Sequence, residues 1–188
     1  MSKNKWLQEG QQTKISKKIK KIAKSLRGDN SLEIIFNILF WIRKNLKFVK
    51  SWKWREKYLC RRTADQIIES KKSSGCSDKA IVFISLARGN NIPSRYVNVI
   101  DLDWLRAGKP KFVSNHIFVD VYISKKWYKI DPTNGTINIG YFWPTDKKFV
   151  LYKKALDSWD MDIRGYGDLE KSMAAFKDKW LKYKNKIR

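Results

Sequence analysis

The chain has 188 residues and a mass of 22.3 kDa, enough for one substantial domain with an extension and short for two. With 43% hydrophobic and 14% aromatic residues it is no wholly disordered protein, and at this length no disulfide or metal staple is required. Two cysteines and one histidine exclude a cysteine-rich zinc module, a disulfide scaffold and a multi-histidine metal centre, while 41 basic against 18 acidic residues give a charge of +23.

Such a balance invites nucleic acid, an anionic membrane or an acidic substrate. Only ten of the basic residues are arginine, the better phosphate fork and base reader, and 31 are lysine. This mix fits a solvated lysine-rich surface with non-specific polyanion adhesion at low salt, rather than a dedicated nucleic-acid reader. The longest apolar stretch, Leu32 to Ile42, is interrupted by Glu33 and Asn37 and stopped by Arg43, too short to cross a bilayer. The basic N-terminus lacks the apolar run and small-residue cleavage site of a signal peptide, so a cytoplasmic, reducing location is expected and a Cys60–Cys76 disulfide is disfavoured.

Residues 1–28 carry nine basic residues and one acid, Glu9. Within them Ile15, Ile19, Ile22 and Leu26 form one helical stripe opposite a lysine face. The stripe lacks Trp and Phe, which favours a helix docked on the main domain over one lying on a membrane. This basic extension, 1–28, precedes a domain over 29–188. Gly28-Asp29-Asn30 breaks the pattern, and Ser31 is the expected N-cap of a helix over 32–47, apolar nearly all round and expected to be buried. A short helix follows over Thr63–Ser70 with Thr63 as its cap, then a loop at 71–75. The next helix runs from Cys76 to about Arg88, ended by Gly89-Asn90-Asn91 and Pro93. The period then changes to strands at Ser94–Ile100, Asn115–Ile123, Trp127–Asp131 and Lys148–Leu151. Residues 102–114 form an insertion, in which Asp101 and Asp103 are expected only to be solvated. A basic amphipathic helix over Asp168 to about Lys186 follows.

Cys76 follows Gly75 and opens a helix, so an anionic sulfur there faces unsatisfied N–H groups and the positive end of the helix dipole. Gly75 removes bulk from the approach to that sulfur. In the strand Asn115–Ile123, His116 and Phe118 share one face. A two-residue turn at Ser124-Lys125 pairs 123 with 126, which sets Asp131 diagonally across from His116, about 7 Å away along the backbone. A carboxylate in that place can orient an imidazole and hold its tautomer.

Three blocks then resemble the transglutaminase-like superfamily: Thr63-Ala-Asp-Gln-Ile-Ile with Gly75-Cys-Ser-Asp-Lys-Ala80; Arg88-Gly-Asn-Asn-Ile-Pro-Ser-Arg-Tyr-Val97; and Asn115-His-Ile-Phe-Val-Asp-Val-Tyr122 with Lys126-Trp-Tyr-Lys-Ile-Asp-Pro-Thr133. The core motifs span 63–133. The resemblance implies an α+β, papain-like fold, with the nucleophile helix packed on an antiparallel sheet and helices at the N- and C-terminal ends. It also implies a Cys-His-Asp triad on Cys76, His116 and Asp131. Asn91 stands where many members have Gly before Ile-Pro, and Asn115-His116-Ile117 replaces a common His-Ala-Trp.

The implied chemistry is acyl transfer on protein or peptide amides through a thioester, with no cofactor or metal and hydrolysis favoured. Transamidation to glutamine is one alternative; a non-catalytic basic scaffold for nucleic acid or membrane is another. A second oxyanion donor is expected upstream of the cysteine, with Trp52, Trp54 and Gln66 as candidates. The run Asp160-Met-Asp162-Ile-Arg164-Gly165 begins like an EF-hand loop, but Arg164 and Lys171 stand at positions that need acids, which rejects calcium. Cys60 is expected to be structural. Oligomeric state is not encoded legibly.

Overall fold

The computed structural model describes residues 3–108, 112–138 and 148–186. In chain order its elements are a 3₁₀ turn at Lys3–Leu7, α1 (Lys17–Ser25), α2 (Ser31–Asn45), β1 (Lys47–Phe48), α3 (Trp52–Tyr58), α4 (Ala64–Ser70) and β2 (Lys72–Ser73). There follow α5 (Cys76–Gly89), β3 (Ser94–Asp101), α6 (Leu102–Arg106), β4 (Asn115–Ile123), β5 (Lys126–Asp131), β6 (Thr136–Asn138) and β7 (Phe149–Ala155). A 3₁₀ turn at Trp159–Met161 leads into α7 (Tyr166–Lys186). The α+β class expected from the sequence is the one observed.

Helix α5 is the spine. From Ala80 to Arg88 every side chain is buried, which places this segment between layers rather than at a surface. On one side stand α1, α2 and α4; on the other lies a five-stranded antiparallel sheet in the order β6-β5-β4-β3-β7. The alternate residues Ile117, Val119 and Val121 of β4 turn toward the helix and join its core, while Phe118 joins a small cluster with Val97 and Val99.

The stripe of α1 is docked: Ile19 and Ala23 are fully buried, with Ile15, Ile22 and Leu26 packed around them. Gly89 lets the two helices touch, since a Cβ there would lie 2.9 Å from the Ala23 methyl. Arg88 then staples distant segments by donating to the carbonyls of Trp6, Ser94 and Leu156 and to the Thr13 hydroxyl. Gln12 does similar work, donating to the carbonyls of Cys60 and Arg62 while its own carbonyl accepts from Ser158.

Several local expectations need correction. The N-cap of α2 is Asn30, whose Oδ1 accepts from the Leu32 and Glu33 amides, and Ser31 is already helical. Helix α2 is not buried all round: Phe36 and Phe40 are 51% and 69% exposed, because α5 covers only one of its faces. The 71–75 segment contains β2, paired in parallel with β1. The insertion carries helix α6, capped by Asp101, whose carboxylate accepts from the Asp103 and Trp104 amides. Lys177 of α7 holds its far end by donating to the carbonyls of Trp104, Ala107 and Gly108. Residues 109–111 of the insertion lie outside the described residues. Among the described residues no helix is long and apolar enough to cross a membrane.

Candidate active site

Cys76 is the first residue of α5, half-buried, and is preceded by Gly75 at φ +151° and ψ −153°. That backbone conformation is essentially reserved for glycine, so the turn into the helix depends on Gly75 rather than merely tolerating it. The turn is braced from behind by Asp78. Its Oδ2 accepts from the Ser74 amide at 2.6 Å, the Ser74 hydroxyl at 2.7 Å and the Arg62 guanidinium at 2.6 Å. Arg62 in turn donates to the Lys72 carbonyl and the Ser70 hydroxyl. Ser77, the next residue along, accepts from the Tyr96 hydroxyl at 2.9 Å.

His116 and Asp131 arrive on the hairpin. Ser124 and Lys125 both take positive φ, a tight two-residue turn that pairs Ile123 with Lys126 as the sequence register requires. His116 Nε2 lies 3.0 Å from Asp131 Oδ2, and Cys76 lies close enough for its side chain to act on the ring. Asp131 is itself fixed: Oδ1 accepts from the Thr133 and Asn134 amides, and Oδ2 also accepts from the Asn134 side chain at 2.8 Å. Phe118 meets the imidazole edge-on and Phe149 lies parallel to it.

The electrostatics follow from this packing. Burial works to lower the His116 pKa, but the hydrogen bonds and charges of Asp131 and Cys76 outweigh it and raise the value to about 10. Burial likewise opposes ionisation of Asp131, yet His116 and the two backbone amides hold its pKa below the usual carboxylate value. Lys79, one turn after Cys76, donates to the Thr133 carbonyl at 3.2 Å. Burial lowers its pKa, offset in part by the fields of Asp131 and Cys76. Of the three expected residues, His116 and Asp131 meet in a hydrogen bond, and Cys76 opens α5 close enough to act on His116. Lys79, Asp78, Arg62 and Asn134 were missed; the Ser74-x-x-x-Asp78 spacing before the helix was the only signal for the brace.

The three oxyanion candidates separate. Gln66 is taken up by the Thr63 capping box, and with Trp54 it lines a surface cavity of about 640 Å³ that contains neither Cys76 nor His116. Trp52 instead meets Phe112 and Tyr166 edge-on and lies beneath Arg55, which reaches toward Gly75. Cys60 is free and buried, its sulfur 3.4 Å from the Ser77 hydroxyl, and burial pushes its thiol up to about 12. Iodoacetamide at about pH 7.5 is therefore expected to label Cys76 at least about a hundredfold faster than Cys60, read by peptide mass spectrometry. Equal, slow labelling of both would remove Cys76 as a nucleophile. In the former calcium candidate, Asp160 accepts from the Leu156 amide. Among the described residues no group of three or more His, Cys, Asp or Glu side chains is arranged to hold a metal.

Comparison with known proteins gives the same architecture. A search of curated protein sequences gave no match. Among solved structures, a candidate cysteine protease from Cytophaga hutchinsonii superposes with a TM-score of 0.62 at 19% identity, over 82% of this chain and 47% of that one. The chain thus spans about half the length of that relative. A candidate protease from Parabacteroides distasonis gives 0.46 at 16% identity, over 72% and 29% of the two chains. The sequence profile of the transglutaminase-like superfamily matches residues 17–132, well over half of the chain. The chain belongs to the transglutaminase-like superfamily.

Proposed function

We propose that this protein is a cysteine amidase acting on protein or peptide substrates, with Cys76 as nucleophile, His116 as acid and base, and Asp131 as its orienting carboxylate. The observation that supports this most directly is the His116–Asp131 hydrogen bond of 3.0 Å beside Cys76, the first residue of α5. The sulfur attacks the amide carbonyl, forming a C–S bond. His116 then gives its proton to the departing amine as the C–N bond breaks. The developing oxyanion falls near the N-terminus of α5, where backbone N–H groups lack intrahelical partners; one such donor contributes about 3–4 kcal/mol in other enzymes.

The raised His116 pKa suits both halves of this cycle. At neutral pH the ring is held protonated, ready as an acid, partly by the field of Cys76. Acylation removes that anionic sulfur, so the imidazole becomes easier to deprotonate and can take a proton from the water that resolves the thioester. The charges around the sulfur favour water over an amine as acceptor. Lys79 lies close enough to feel the charges of Cys76 and Asp131, and a cationic primary amine approaching it is repelled where water is not.

The test is to incubate the protein with a glutamine-containing peptide and a fluorescent primary amine. Conversion of glutamine to glutamate with ammonia release is expected, with little amine incorporated. Efficient incorporation that depends on Cys76 would move the assignment to transamidation.

A further inference from the structure

We infer that Arg55 is a carboxylate-binding specificity residue beside the nucleophile, so that the favoured substrates carry a carboxylate close to the scissile amide. This inference rests on Cys76 being the reacting residue. Arg55 lies in α3, half-buried, and its Nε donates to the Ser74 carbonyl at 2.8 Å. Its guanidinium lies over two aromatic rings, 4.9 Å from the Phe48 centroid and 5.4 Å from that of Trp52. Stacking and the Nε bond together fix the plane of the group, which removes most of the rotamer freedom that a long side chain loses on binding.

What remains is the Nη edge. Nη2 lies 3.8 Å from the point where a Cβ on Gly75 would sit, one residue from Cys76. Among the described residues no carboxylate pairs with it, in contrast to Arg62 with Asp78, Arg95 with Asp120 and Arg106 with Asp103. A planar fork, pre-oriented and without an anion, is the arrangement that receives a carboxylate through two parallel N–H···O bonds. The half-exposed rings of Phe48 and Trp52, 48% and 38% accessible, leave the approach open. The carboxylate has two chemical sources, a peptide C-terminus or an acidic side chain, and their reach from the sulfur differs.

Alkylation of Cys76 tests this without a known substrate, because the sulfur displaces iodide whether or not amide turnover is ever found. The rates of iodoacetate and iodoacetamide are measured site-specifically, and their ratio is compared between the wild type and Arg55→Gln. The ratio is expected to fall about tenfold, the worth of one charge-assisted hydrogen bond. It should also fall severalfold in Arg55→Lys, which keeps the charge and loses the fork; that arm decides if Arg55→Gln does not fold. Lys125→Gln, at the exposed hairpin turn, removes one charge elsewhere and should leave the ratio within about twofold. N-iodoacetyl-glycine and N-iodoacetyl-aspartate α-amide then compete against neutral N-iodoacetyl-glycinamide. An Arg55-dependent preference for the first assigns a chain terminus, and for the second an acidic side chain. Ratios that do not change in either Arg55 variant, or that change equally in Lys125→Gln, overturn the inference.

Discussion

His116→Ala is expected to lower amide turnover by at least about 10³-fold, and Cys76→Ala to abolish it, with the double variant no worse than Cys76→Ala alone. The chain holds no second histidine to take over the proton transfers, so the loss has no internal rescue. Asp131→Asn should cost on the order of 10²–10⁴-fold while leaving activity measurable, since the sulfur and imidazole remain in contact. The pH profile separates orientation from simple disruption. With His116 at about 10, the alkaline limb of kcat/KM is expected near that value; without the Asp131 charge it should move toward the ordinary imidazole value of 6.5. The same shifts govern stability. The contribution of His116 is fully present below 6.5 and is lost as pH rises through about 10. That of Asp131 is present above 3.8 and is lost as pH falls through its lowered value. Full turnover by His116→Ala, or an alkaline limb that ignores Asp131→Asn, would sink the proposed roles.

The second large effect is expected at the brace behind the nucleophile. Asp78 is wholly buried, and Asp78→Ala leaves the Arg62 guanidinium, itself 7% exposed, without its one anionic partner among the described residues. Breaking a buried pair from one side costs about 3–5 kcal/mol. For a chain of this size that is a fall in Tm of roughly 6–20 °C, measurable by thermal denaturation. Arg62 Nε and Asp78 Oδ1 have no hydrogen-bond partner, so the pair is incompletely satisfied even when intact. Removing both charges together, as in Arg62→Met with Asp78→Leu, should therefore be less damaging than Asp78→Ala alone. A double variant that melts lower than Asp78→Ala would show that the hydrogen bonds to Ser74, not the charge balance, carry the stability.

How much of this was legible in the sequence depended on the range of the interactions. The β4–β5 register followed from a two-residue turn and a period of two, and it carried His116 and Asp131 to one place. Thr63 with Gln66, and Asn91 in a left-handed conformation, are local devices that a sequence states directly. Helix α6 was missed because a five-residue segment shows no periodicity, and part of what holds it, Lys177, is seventy residues downstream. Two-residue strands such as β1 and β2 have no pattern to read. Arg62 and Asp78 look like surface charges until the fold buries them against each other. Lys79 looked like one more member of a lysine-rich surface; its environment exists only once Thr133 has been brought beside α5.

The Gln12 and Asp157 contacts set the order in which this chain can assemble. The Gln12 amide donates to Asp157 across 145 residues, and the Gln12 side chain accepts from Ser158 across 146. A helix turn or a hairpin can close while the polypeptide is still emerging, but this clasp cannot form until Asp157 and Ser158 have been made. Until then the amide groups of Gln12 and the carbonyls of Cys60 and Arg62 stay with water, and the segment before α1 lacks its anchor. Because Arg88 is fastened to Trp6, Thr13 and Leu156 in the same region, the spine helix gains its last ties at that moment. Cys76 stands at the opposite end of that helix from these ties, so its setting matures only after segments 145 residues apart have met.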